Sequence, residues 1–229
     1  MVYAVILSGG EGKRIGSEHP KQFLPLGGKP VLLWSVDLFN SIKQIDHIIV
    51  VSNPRYMDET RAYVKGFDKI LKIISGGETR QDSVYNALAS HEFSEKDIIL
   101  FHDAARPFIT KNIIMRCLAA IENSDAAGTY LPATDTITEI ETGYVNSIPD
   151  RKKIFYTQTP QIFKYAVIKN SHEHARAQGI HHATDDVYLV LNSGYRVKTV
   201  EGDYLNIKIT TQFDYEFAQW IAEKNKAAG

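Results

Sequence analysis

Short apolar runs recur along this chain, and between successive runs lies an amphipathic segment of helical period. The strand-like runs fall at 2–7, 47–52, 69–75, 97–102 and 126–132, and the helical patterns at about 31–41, 56–64, 80–90 and 111–123. Parallel strands need a crossover between them, and a helix is the usual one. The alternation therefore predicts an α/β fold, a mainly parallel sheet covered by helices on both faces. In such sheets ligands gather where the strands end at their carboxyl side. That rule brings three strand ends to one edge: 8–14, Gly76-Gly77, and Asp103-Ala104-Ala105-Arg106.

The first of these ends is the richest. The run 2–7 empties into Ser8-Gly9-Gly10-Glu11-Gly12-Lys13-Arg14, with Pro20-Lys21-Gln22 soon after. Glycines let backbone N–H groups close around phosphate oxygens, and Arg14 and Lys21 can neutralise the charge that such a ligand brings. A Walker A loop needs Ser or Thr after Gly-Lys, where this chain has Arg14. A dinucleotide fingerprint needs a third glycine where this chain has Ile15. The loop is therefore a phosphate cradle of another kind, or else an ordinary strand-to-helix turn.

At the second end, Gly76-Gly77 opens a helix whose start can be capped by Thr79 or Asp82. The two glycines let the backbone approach a flat ligand, and Ser83 adds a hydroxyl that donates or accepts. At the third, Asp103 closes an apolar strand opposite the glycine loop. One carboxylate beside phosphates suits Mg²⁺, which takes one or two carboxylates and substrate oxygens. Pairing of Asp103 with Arg106 as a structural clamp is the alternative. The small Ala104 and Ala105 leave room for a ligand, and His102 reads as an interior histidine supporting the site.

Lys208 alternates with Ile207 and Ile209 in an extended piece, 206–210, and so points away from them. Facing inward it requires an anion; otherwise it faces solvent. Asp185-Asp186 reads as a helix N-terminus rather than a metal site. His172, His174, His181 and His182 lack zinc-ligand spacing.

Residues 134–151 break the α/β rhythm. The stretches 136–140 and 144–148 alternate around the turn Glu141-Thr142-Gly143, which predicts a β-hairpin. An isolated hairpin is barely stable in water. It packs on its own domain or on a second subunit. A helix at 164–178, a strand at 194–200 and a terminal helix at 213–224 complete the pattern. The expectation is one domain, 1–229, with a protruding arm at about 134–151.

Bulk features narrow the function classes. A formal net charge of −1 does not indicate a basic surface for nucleic acid, and no basic cluster forms a run. The single cysteine, Cys117, sits in an apolar pattern as a small core residue, which fits a reducing compartment. The N-terminal run is too short for a membrane span and lacks a signal peptide's basic flank, so cytoplasm is expected.

Taken together, 8–16, 20–23, 76–83, 102–107, Asp135-Thr136, 158–161 and 206–210 resemble the family of cytidylyltransferases acting on sugar-alcohol phosphates. Methylerythritol-phosphate and ribitol-phosphate enzymes are its two branches. The resemblance implies a Rossmann-like fold, a divalent cation such as Mg²⁺, and a homodimer whose hairpin arm reaches the partner's site. It implies that Ser8, Gly9, Gly10, Gly12, Gly76, Gly77, Ser83, Asp103 and Ala104 bind CTP. Arg14 and Lys21 would hold its triphosphate, and Asp103 would assist the metal. Arg106, Thr136, Arg151, Thr184 and Lys208 would surround the polyol phosphate, with Arg14, Lys21, Arg151 and Lys208 as the catalytic set. His102 to Arg106 and Asp82-Ser83 look like the methylerythritol branch. Ser8-Gly9-Gly10 departs from that branch's usual Ala-Ala-Gly, and 148–151 leans toward the ribitol branch. A nucleotide-binding module without turnover is the reading from another class, against which Arg14, Lys21 and Asp103 argue. The missing third glycine at Ile15 argues against a dinucleotide oxidoreductase.

Overall fold

The computed structural model describes residues 1–12, 15, 16 and 19–227, the side chains of 225–227 excepted. Arg14, on which part of the expected phosphate cradle falls, lies outside the described residues.

The chain begins with β1 (Val2–Ser8), a small hairpin of β2 (Pro25–Leu26) and β3 (Lys29–Pro30), and α1 (Val31–Ser41). Then follow β4 (His47–Ser52), α2 (Met57–Val64), β5 (Ile70–Ser75), α3 (Arg80–Ala89), β6 (Ile98–Asp103), α4 (Lys111–Ile121) and β7 (Ala126–Pro132). The second half carries β8 (Glu139–Glu141), β9 (Tyr144–Ser147), β10 (Phe155–Lys164), α5 (Tyr165–Ala177), α6 (Asp186–Asn192), β11 (Val197–Glu201) and α7 (Gln212–Ala227).

Among the described residues the main sheet has seven strands in the order β11-β7-β10-β6-β1-β4-β5. β1 pairs in parallel with β4 and β6, β4 with β5, and β7 with β11. β10 runs antiparallel to both its neighbours. The fold is thus the mainly parallel α/β sheet expected. Its central strands β1, β4 and β6 are mostly apolar and buried because both faces are covered. Successive residues of β1 supply opposite cores: Ala4 and Ile6 pack with α1 and α4, Tyr3 and Val5 with α3 and α5. A third cluster joins α7 to the small hairpin and to Ile209.

Local chemistry explains the helix starts. Thr110 accepts the Ile113 N–H at 3.4 Å, and Thr79 and Asp82 close a reciprocal capping box on α3. Cys117 is fully buried and burial raises its thiol to about 11, as a core residue's should be.

One long strand departs from the sequence reading. β10 was not expected, because Pro160 and a run of Thr and Gln hide it. The backbone tolerates Pro160 at a register shift between Gln158 and Gln161, where no ladder N–H is needed. The piece 206–210 forms no strand; the Ile209 N–H donates to Ala105 O at 2.8 Å and ties it to the sheet edge.

Candidate active site

The carboxyl ends of β1, β4, β5 and β6 share one edge because the four strands are parallel. Leu7 stands opposite Asp103, Ser8 opposite Ser52, and Ser52 opposite Ser75. β10 arrives from the other direction and adds Thr157, Gln158 and Thr159 to the same edge. After β11 the chain crosses that edge as the segment 202–210, carrying Lys208.

Two adjoining cavities result. The first, about 310 Å³, is lined by Gly9, Gly10, Lys21, Gly77, Ser83 and Ala105. The second, about 300 Å³, is lined by Arg106, Thr157, Gln158, Thr159, Gln161 and Thr184. Arg80, Asp103 and Lys208 line both. A shallower cleft of about 740 Å³ continues from the glycines past Asn53 and Arg55.

The first cavity is floored by backbone. Gln22 donates to Ser8 O at 2.8 Å and Gly10 O at 3.1 Å, and Asn53 donates to Gly9 O at 3.2 Å. These bonds turn the carbonyls away and fix the loop. Gly12 takes a φ of +71°, the left-handed region that favours glycine. Gly77 is required for space: a Cβ there would overlap Asp82. Its N–H donates to Ser83 Oγ at 3.1 Å, so the Ser83 hydroxyl proton is left to donate to a ligand acceptor. Ala104 is buried beneath Leu7, donating its N–H to Leu7 O at 3.0 Å.

Asp103 stands between the cavities. Its Oδ2 lies 2.6 Å from Lys208 Nζ, and its Oδ1 lies 3.7 Å from Arg80 Nε. Burial alone would raise its carboxyl, but the charges of Lys208, Arg80 and Arg106 overrule it and hold the group well below the usual carboxylate range. Lys208 therefore turns to the cavities and meets Asp103, while 40% of its side chain stays exposed. Asp103 does not pair with Arg106; that guanidinium is buried and donates to Asn206 O at 2.8 Å and Thr157 O at 3.2 Å.

His102 has the supporting role expected of it. Its Nε2 is 3.1 Å from Arg106 O, a carbonyl, so Nε2 carries the proton and Nδ1 accepts from Thr159 Oγ1 at 3.2 Å. Thr159 Oγ1 in turn accepts the Asp103 N–H at 3.1 Å. Burial lowers the imidazole to about 4, so it is neutral near pH 7. Lys21 Nζ donates to Ile209 O at 2.8 Å, placing it beside Lys208's segment on the first cavity's wall.

Arg80 is a site residue that the sequence reading passed over. A cation at a helix N-terminus opposes the helix dipole, and that is the signal it carried. It is held there by Asp186, whose Oδ2 lies 2.6 Å from Arg80 Nη1, with His172 Nε2 3.1 Å from the other oxygen. Asp185 caps α6, as the helix-start reading had it.

Thr136 and Arg151 do not line either cavity of this chain. Arg151 is exposed and donates to Thr134 O at 3.0 Å, at the root of the β8–β9 arm.

Residues 2–224 match the sequence pattern of the 2-C-methyl-D-erythritol 4-phosphate cytidylyltransferases. The chain belongs to that family. A 2-C-methyl-D-erythritol 4-phosphate cytidylyltransferase of Geobacter metallireducens is 40% identical over 97% of this chain and 98% of its own. One from Clostridium perfringens is 41% identical over 95% and 97%. The crystal structure of a 4-diphosphocytidyl-2C-methyl-D-erythritol synthase from Anaerococcus prevotii superposes with a TM-score of 0.86 at 30% identity, covering 97% of this chain and 98% of that one. Cytidylyltransferases are nucleotidyltransferases, and this chain is an enzyme of that class. No described helix is long and apolar enough to cross a membrane.

Proposed function

We propose that this chain transfers CMP from CTP to 2-C-methyl-D-erythritol 4-phosphate, releasing pyrophosphate. The observation that carries this reading is the pair of adjoining cavities with Arg80, Asp103 and Lys208 on their common wall. A glycine-floored cavity suits the nucleotide, and a small cavity with Arg106 and Thr184 suits a compact phosphorylated polyol. The names of the relatives favour the methylerythritol acceptor over ribitol 5-phosphate.

In the reaction a phosphate oxygen of the polyol phosphate forms a bond to the α-phosphorus of CTP. The bond from that phosphorus to the α–β bridging oxygen breaks, and its electron pair leaves with pyrophosphate. The attacking group is already anionic, so no side chain need become a nucleophile. The work is positioning two mutually repelling anions and neutralising charge on the α-phosphate. Lys21, with Arg14, holds the triphosphate. Ser83 and the backbone of Gly76 and Gly77 read cytosine, and Ser8 to Gly12 with Ala104 shape the cradle. Lys208 passes from Asp103 to the acceptor phosphate, which Arg106 and Thr184 flank.

Asp103 fits a divalent cation of the Mg²⁺ type. It is an ionised hard-oxygen donor, and among the described residues its Oδ1 has no hydrogen-bond partner, Arg80 Nε standing 3.7 Å away. Among the described residues no three His, Cys, Asp or Glu side chains gather, so Asp103 and phosphate oxygens would hold it together. Bound there, the cation would neutralise phosphate charge.

The chain works as one nucleotidyltransferase domain with its arm at about 134–151, and as a homodimer in the cytoplasm. Ile140, Tyr144, Val145 and Ile148 are all at least 63% exposed on a hairpin that, among the described residues, pairs with no other strand. A second copy would cover them, and its arm would bring its Thr136 and Arg151 toward the acceptor cavity.

Pyrophosphate release from CTP with Mg²⁺ tests the reading, run with 2-C-methyl-D-erythritol 4-phosphate and with ribitol 5-phosphate. Release with the first acceptor supports it. Release only with the second moves the acceptor to the other branch, and CTP binding with no release in either arm leaves a binding module.

A further inference from the structure

The position of Lys208 is not set by secondary structure. Residues 202–210 carry no strand or helix, and two backbone bonds join them to β7 and to the turn after β6: Gly202 N–H to Tyr130 O at 2.8 Å, and Ile209 N–H to Ala105 O at 2.8 Å. Between those ties the segment is held by Arg106 Nη1, which donates to Asn206 O at 2.8 Å, and by side-chain amides. Gln158 Nε2 donates to Asp203 O at 2.9 Å and Asn206 O at 3.3 Å. Gln158 Oε1 accepts from Asp203 N–H at 3.3 Å and from Asn206 Nδ2 at 3.2 Å. Asn206 Nδ2 also donates to Thr159 O at 2.9 Å. Each amide nitrogen meets only acceptors and Gln158 Oε1 meets only donors, so both amide orientations follow from their partners.

The network lies out of water. Asn206 is fully buried and Gln158 is 5% exposed. Gly202 packs so closely that a Cβ there would overlap Gln158 Oε1. From Thr159 the same network passes to His102 and to the Asp103 N–H. One set of buried hydrogen bonds thus reaches both members of the Asp103–Lys208 pair: Asp103 from β10's Thr159, and Lys208 through the backbone two residues after Asn206.

We propose that Gln158 and Asn206 are positioning residues for the transfer reaction, a buried amide latch that fixes where Lys208 stands relative to Asp103 and the acceptor phosphate. Neither side chain need touch the reacting atoms. Hydrogen bonds that fix a loop cation replace the strand ladder the segment lacks, and a displacement of about 1 Å in a positioned group can cost on the order of a hundredfold in rate.

The proposal rests on the cytidylyl-transfer reading, and its test separates the two. In a double-mutant cycle, kcat is measured for the intact enzyme, Asn206→Ala, Lys208→Met and the double variant, well below each melting temperature. Asn206→Ala is expected to lower kcat roughly 10- to 100-fold. In the Lys208→Met background it is expected to change kcat by no more than about twofold, because the latch acts through the lysine. CTP affinity, measured directly, stays within about twofold, since no latch residue lines the glycine cavity. Gln158→Glu, which keeps the shape and loses the Nε2 donor, serves if Asn206→Ala does not fold. Unchanged kcat in the single variant, or losses that multiply in the double variant, overturn the latch. A crystal structure of the single variant gives a readout free of turnover: Lys208 Nζ is expected to leave its 2.6 Å contact with Asp103, and an unmoved pair overturns the latch. If the intact enzyme releases no pyrophosphate, the functional reading fails, and this structural arm still decides the latch.

Discussion

Lys208 Nζ meets Asp103 Oδ2 at 2.6 Å, joining a segment without a strand of its own to the last residue of β6. The pair sits where the two cavities adjoin. It keeps the carboxylate ionised and holds the lysine at the point where two phosphate-bearing substrates would meet. Under the proposed function an acceptor phosphate would compete with Asp103 for that lysine, and the contact would order the site before the second anion arrives.

Replacing Lys208 with Met removes the cation nearest the carboxylate. The transfer barrier is expected to rise by about 2.7–4 kcal/mol, a loss of roughly 10²–10³ in rate. The Asp103 carboxyl, freed of its strongest neighbour, moves up toward the usual carboxylate range. Steady-state kinetics checks the first outcome, and carboxyl-resolved NMR titration the second.

Lys21→Ala tests the triphosphate side. Its amine donates to Ile209 O at 2.8 Å from the wall of the glycine cavity. Turnover is expected to fall on the order of 10²–10³-fold with the fold intact. A purified variant with normal rates and an unchanged circular dichroism spectrum would refute the assignment.

Gly77→Ala tests the floor of the nucleotide cavity. The added methyl would overlap Asp82 and push apart the capping box that starts α3. Ser83 then loses the Gly77 N–H and its orientation. Calorimetry is expected to show weaker CTP binding, by about 1–3 kcal/mol for the displaced hydrogen-bond geometry. Equal affinity would place the base elsewhere.

Stability is expected to fall with acid in two stages. In the folded protein burial keeps His102 neutral down to about 4, whereas the unfolded chain takes up the proton near 6.5. Between those values the unfolded state binds more protons, so stability drops as pH falls through that window, by roughly 3 kcal/mol in all. Asp103 and Asp186 have lowered values, so their contribution is present above 3.8 and is lost below it. Urea unfolding across pH 4–8 checks the first stage, and His102→Gln is expected to flatten it. An equal slope in that variant would assign the stage to another group.

Val145→Lys tests the arm. Val145 is 65% exposed in this chain and would be covered in a homodimer. Light scattering on a sizing column is expected to show a shift from dimer to monomer, with loss of turnover as Thr136 and Arg151 leave the neighbouring site. A variant that stays dimeric would put the interface elsewhere.

The sheet was legible because its information is local and periodic. The runs at 47–52 and 126–132 are fixed by apolar residues on both faces, and they became β4 and β7 with the same bounds. Thr79 and Asp82 capped α3 as their side chains and positions required. The strand ends bearing Gly77, Ser83 and Asp103 reached one edge because parallel strands all end on the same side. β10 was not legible: Pro160 and the polar run around it carry no strand period, and only pairing with both β6 and β7 makes them a strand.

Sequence alone thus determined the layers, the edge that bears the site and the residue types gathered there, since periodicity and glycine content act within a few residues. Tertiary structure decided the partners. That Asp103 takes Lys208 rather than Arg106, that Arg80 is backed by Asp186, and that amides of Gln158 and Asn206 hold a segment lacking a ladder all depend on residues far apart in the chain. Charge and hydrogen-bond pairing at such separations follows from where the backbone places each group, and no local pattern encodes it.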